Sequence, residues 1–223
     1  MIEQLTELCK DKFKGELDEA LTLANILCWF FFVVSWHIFY TLEETNLIDG
    51  LSKVKINDAI DFSSGIFSTF SILELFASFI FVFVLSWLAK EMSEGLFFLF
   101  SLRDDFDSHM IESNKILLQL KQKSPLAMFF LGKDAEAKLS QKRAAYSRKR
   151  TTSQIILGAA FSTMLGLNFT LPNLALFIFL FLFFVAYTWR GFYFYIENIL
   201  PYHVAQKYSS GGFASFEDGI EAD

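Results

Sequence analysis

The chain has 223 residues, 53% of them hydrophobic and 29 of them phenylalanine, with 20% charged residues and a net charge of −6. A soluble domain is about 45–50% apolar even when glycine is counted, and about 25% charged. The balance excludes a disordered chain, a collagen-like chain, a disulfide scaffold and a basic nucleic-acid binder, and it predicts an integral membrane protein.

In chain order, segment 1–19 carries six acids and three lysines. Ile2, Leu5, Leu8, Cys9, Phe13 and Leu17 recur at helical intervals and predict a short amphipathic helix. The next stretch, 20–42, holds no Asp, Glu, Lys or Arg over 23 residues, enough for one transmembrane helix. No positive leader or small-residue cleavage site accompanies it, so it reads as a retained helix and not as a signal peptide. Segment 43–61 is a short acidic loop. The second apolar stretch, 62–89, is interrupted only by Glu74.

Segment 90–152 carries twelve basic residues and eight acids. An apolar spacing of three and four, from Leu99 to Leu120, predicts a helix that ends at Pro125. Residues 134–150 read as a charged second helix, so a helical hairpin is expected here. The last apolar stretch, 151–189, is uncharged over 39 residues, too long for one crossing. Asn168, Pro172 and Asn173 mark a turn within it, and the stretch reads as helices over roughly 153–170 and 173–192. A flexible acidic tail follows Pro201.

The expected fold is therefore all-α: four transmembrane helices with a cytoplasmic helical hairpin between the second and third. The expected segments are 1–19 (amphipathic), 20–89 (first helix pair), 90–152 (cytoplasmic loop), 153–200 (second helix pair) and 201–223 (tail). Four crossings place three, twelve and two basic residues on one face and two on the other. Excess Lys and Arg mark the cytoplasmic side, so both termini are expected in the cytoplasm, in a plasma or inner membrane. Lys142, Arg143, Arg148, Lys149 and Arg150 adjoin the third helix as topology determinants and contacts for anionic lipid.

Glu74 is the first candidate for function, because a carboxylate inside an apolar span faces the protein interior, a partner or water. Read as one continuous helix, Ser64, Ser68, Ser71, Ser78 and Ser86 fall on one quarter of its circumference with Glu74 on the flank. The functional reading is a polar face lining a path for ions. The structural reading is that serines pack helices together, with Glu74 near the outer interface. Gly158, Ser162 and Gly166 form a small-residue ridge for close helix approach, against another helix of the chain or a second copy. The almost pure Phe, Leu and Ile of 176–185 are expected to meet lipid.

His37, His109 and His203 show no metal-ligand spacing. Cys9 and Cys28 form no redox motif. No nucleotide cradle or hydrolase motif occurs, so no enzyme activity, cofactor or metal is expected. Asn168-Phe169-Thr170 matches a glycosylation acceptor, discounted because the turn lies at the membrane surface.

In topology alone the plan resembles gap-junction-type channels, motor-stator-type proton channel subunits and small immunity proteins against pore-forming toxins. The outer loop lacks the cysteines of the first, and the last two helices lack the motif of the second, so only architecture is shared. The function expected from these features is an oligomeric ion-conducting or pore-forming protein with a polar face on the second helix. The alternative is a non-conducting immunity, exclusion or accessory subunit that binds another membrane protein. The expected partners are the lipid bilayer and either a homo-oligomer or another membrane protein, with no nucleic acid.

Overall fold

The structure is a computed structural model that describes residues 2–17, 22–55, 57–58, 61, 65–102, 125–166 and 169–209. Ser64, His109, Asn168, the first arm of the expected hairpin beyond residue 102 and the tail beyond 209 lie outside the described residues. The described residues are helical and contain no strand. Three helical stretches are long and apolar enough to cross a membrane: Leu23–Thr41, Ile72–Ser101 and Leu171–Val204.

The elements are α1 (Ile2–Leu17), α2 (Thr22–Trp36), α3 (Leu47–Lys53), α4 (Ile72–Ser101), α5 (Pro125–Ser162), α6 (Leu171–Asn198) and α7 (Leu200–Ser209). A π-helical segment, His37–Thr41, extends α2, and a 3-10 turn, Ile66–Thr69, precedes α4.

Local chemistry sets the ends. α4 begins at Ile72 and not near residue 62, because Ser71 and Glu74 form a capping box. The Ser71 backbone N–H donates to Glu74 Oε2 at 2.7 Å, and the Glu74 N–H donates to Ser71 Oγ at 3.3 Å. Such a box satisfies two backbone groups that the first turn leaves without partners. At its other end α4 runs past Lys90 to Ser101. Pro125 starts a helix where the spacing predicted a stop. Its missing N–H falls at a first-turn position that makes no intrahelical bond, and α5 then continues for 38 residues. The segment expected over 153–170 ends as α-helix at Ser162, and turns follow over 163–166.

The chain divides into two compact units, with α4, α5 and α6 contributing to both. The first comprises residues 1–19, 93–148 and 189–223. Its core joins Cys9, Phe13 and Leu17 of α1 to Phe97, Tyr146, Phe192, Tyr195 and Ile199. The four-residue steps of α1 put its three side chains on one stripe. Phe13 stacks on Phe97 at 4.8 Å and meets the Tyr195 ring edge-on at 5.1 Å.

The second unit comprises residues 20–92 and 149–188. Its contacts fix helix directions. Asn25 meets Ser86, Trp29 meets Ser78 and Trp36 meets Glu74, so α2 and α4 are antiparallel. Cys28 meets Gln154 and Tyr40 meets Leu165, so α2 and α5 run parallel. Ser153 bonds Thr188 at 2.6 Å and Phe161 meets Phe177 at 5.7 Å, so α5 and α6 are antiparallel. Asn173, fully buried, fastens the loop before α3 to α6. It accepts from the Leu47 N–H at 3.1 Å and donates to the Thr45 carbonyl at 3.0 Å.

Candidate functional site

Glu74 sits in the first turn of α4, and its carboxylate is engaged within the chain. Oε1 accepts from Trp36 Nε1 at 3.0 Å, and Oε2 accepts from the Ser71 N–H and hydroxyl at 2.7 and 2.8 Å. The four described serines do not share one helix. Ser68 belongs to the 3-10 turn and bonds the Gly65 carbonyl, and Ser71 caps α4. Ser78 and Ser86 lie on α4 itself. Ser78 is fully buried, accepts from Trp29 Nε1 at 2.8 Å and donates to the Leu75 carbonyl at 2.6 Å.

Ser86 belongs to a polar node that joins three helices. Its hydroxyl donates to Asn25 Oδ1 of α2 at 2.8 Å. Gln154 Nε2 of α5 donates to Asn25 Oδ1 at 2.8 Å and to Ser86 Oγ at 2.7 Å. Beside the node, the Cys28 thiol donates to the Gln154 carbonyl at 3.6 Å. Such bonds bind helices together in an apolar surrounding, each contributing about 0.6–2 kcal/mol. Asn25 is the lone amide of the charge-free stretch 20–42, and Gln154 is one of three amides in 151–189, with Asn168 and Asn173. That signal is present in the sequence, but their pairing depends on tertiary structure.

The small-residue ridge packs inside the chain. A Cβ added at Gly158 would lie 2.4 Å from Cys28 Sγ, and one at Gly166 would lie 2.6 Å from the Phe39 ring. Ser162 between them is buried. On α6, Ile178, Phe179, Leu182 and Phe183 are exposed while Phe184 is buried.

Lys142 and Arg143 of the basic cluster make contacts within the first unit. Lys142 donates to Asn198 Oδ1 at 2.8 Å and lies 5.8 Å from the centre of the Phe194 ring. Arg143 pairs with Glu16 of α1. Arg148 is exposed and Lys149 and Arg150 are half-buried.

The Glu16 pair had no sequence signal. Glu16 is buried, and besides Arg143 it faces His203 of α7, whose Nε2 lies 3.7 Å from Oε1. Burial alone would raise the Glu16 pKa, but His203 and the Arg143 charge outweigh it and hold the carboxyl below its ordinary value of 4.5. Burial also pushes the Cys9 thiol up to about 12, so it stays protonated. Among the described residues, no three His, Cys, Asp or Glu side chains converge as metal ligands. Compared with known proteins, the chain matches no protein-family model, no curated protein and no solved structure.

Proposed function

We propose that this chain is an integral membrane protein with four helical crossings that acts by binding another membrane protein and does not itself conduct ions. The observation that carries this reading is that five polar residues of the apolar stretches bond within the chain, while Ser162 Oγ and His37 Nδ1, which make no hydrogen bond among the described residues, are buried and face no water. Glu74, Ser78, Ser86, Asn25 and Gln154 all bond within the chain. The exposed face of α4, from Ile72 through Phe76, Ile80 and Phe83 to Trp87, is apolar. An aqueous path needs polar groups that face water, not ones that satisfy each other.

The fourth crossing is the apolar part of α5. It lies against α6 through Ser153–Thr188 and Phe161–Phe177, and so shares the depth of a helix that is long enough to cross. Seventeen of the nineteen basic residues then fall with the termini and the central segment, which supports a cytoplasmic location for all three in a plasma or inner membrane.

The test is cation and anion flux across vesicles holding the purified full-length protein. Flux equal to that of empty vesicles is expected. Flux that Glu74→Gln or Gln154→Leu abolishes would overturn the proposal in favour of an oligomeric ion-conducting or pore-forming protein. One observation favours that rival: Asn25 Nδ2 and Gln154 Oε1 make no hydrogen bond among the described residues, so the node retains one donor group and one acceptor.

A further inference from the structure

The seat of α1 in the first unit is an apolar groove with a cationic end. Phe97, Tyr195 and Ile199 line it, and Arg143 and His203 stand where Glu16 enters. The fit of α1 is incomplete. Tyr195 Oη and His203 Nδ1 make no hydrogen bond among the described residues, whereas His203 Nε2 faces Glu16 Oε1 at 3.7 Å. Tyr195 is 0% and His203 3% exposed, so water does not reach them from the surface. Each such atom carries a desolvation cost that no bond returns, and buried polar groups are nearly always bonded. Glu16 Oε1 is shared between Arg143 and His203 Nε2. Two polar atoms, Tyr195 Oη and His203 Nδ1, are left over in a groove already shaped to hold a helix.

We propose that this groove is a recognition site for an acidic amphipathic helix of the partner protein, and that α1 is its displaceable occupant. The chemistry defines the ligand. It presents an aromatic side chain where Phe13 sits, a carboxylate three residues later for Arg143, and a second acceptor within reach of Tyr195 Oη and His203. An occupant that bonds the two orphan atoms gains what α1 forgoes, and so competes with a helix that is covalently attached. Release of α1 uncovers Cys9, which is fully buried when α1 is docked. The proposal rests on the partner-binding function above and names the partner's class.

The experiment uses the full-length Cys28→Ser protein in nanodiscs, so that Cys9 is the sole thiol. Its probe is a labelled synthetic peptide with the sequence of residues 2–17 and Cys9→Ser. The expected result is saturable binding, with Cys9 of the protein labelled by maleimide at least 5-fold faster when the peptide is bound. Glu16→Gln in the peptide weakens binding at least 10-fold. Arg143→Glu in the protein abolishes binding of the native peptide, and a Glu16→Arg peptide restores it, which separates loss of the pair from misfolding. Absence of peptide binding, or Cys9 labelling that does not change with peptide, would show that α1 is a fixed part of the core and overturn the proposal. Flux plays no part in this readout, so a conducting protein whose groove still binds peptide fails the function proposed above and not this one.

Discussion

Glu16 shows how one carboxylate holds a helix. It is buried, paired with Arg143, and 3.7 Å from His203. Removing one partner of a fully buried pair costs about 3–5 kcal/mol. Arg143 is 46% exposed, so solvent screening reduces the expected cost of Glu16→Gln to about 1–2 kcal/mol. The pH dependence follows from the direction of the shift. The folded pKa of Glu16 lies below the ordinary 4.5, so its contribution is present above that value and is lost as pH falls through the folded pKa. Thermal melts of wild type and Glu16→Gln should therefore differ at pH 6, and the gap should close progressively below pH 4.5. A gap that stays constant down to pH 3 would show that the Glu16 charge does not hold α1. At residue scale Glu74 teaches a different lesson. A carboxylate inside an apolar stretch first suggests ion chemistry, yet here Ser71 and Trp36 absorb its lone pairs in a helix cap.

At the scale of elements, the contact between α2 and α5 depends on the missing side chain at Gly158. A methyl there would meet Cys28 Sγ at 2.4 Å and Leu85 Cδ2 at 3.1 Å. Gly158→Ala is expected to destabilise by about 1–3 kcal/mol through overpacking, partly offset by the better helix propensity of alanine. Cys28→Ala removes the sulfur that the methyl strikes, so Gly158→Ala should cost clearly less in that background. Additive effects in melts of the four proteins would disprove the contact. Helices α1, α2, α4 and α6 were legible in the sequence, because charge-free stretches and three/four spacing report local composition, whereas α3 lies in a segment read as a loop and α5 runs on through segments read as separate helices. The start of α4 was legible in principle: Ser71 and Glu74 stand at capping-box spacing, but they lie inside an unbroken apolar run that hides the boundary. Pro125 carries two opposite meanings, a stop after one helix and a first-turn residue of the next, and spacing alone does not choose between them. The Asn25–Ser86–Gln154 node and the Glu16 pair were not legible. They join residues up to 129 and 127 positions apart, and nothing local encodes such a meeting.

At the scale of the whole molecule the open variable is the number of crossings, and α5 decides it. From Thr151 to Ser162 its charge-free helix has only twelve residues, about 18 Å at 1.5 Å per residue. A hydrocarbon core is about 30 Å thick. The turn residues 163–166 extend the segment, and Lys149 and Arg150 carry long stems that let their charges reach the interface. Three crossings and four make opposite statements about two exposed positions that flank α6, Phe169 and Glu197. If α5 crosses, residue 169 lies outside and residue 197 in the cytoplasm. If it does not, the two exchange sides. Both natural cysteines are buried, so single-cysteine variants Phe169→Cys and Glu197→Cys report cleanly in a Cys9→Ser, Cys28→Ser background. A membrane-impermeant maleimide added to intact cells should label Phe169→Cys at once and Glu197→Cys only after permeabilisation. Lys55→Cys, in the loop after α2, should label from outside under either count and serves as the reference. The reverse pattern at 169 and 197 would leave α5 on the cytoplasmic side with its charged half. It would also reverse the side assigned to the C-terminus, while the basic excess of segment 90–152 would still mark the cytoplasm.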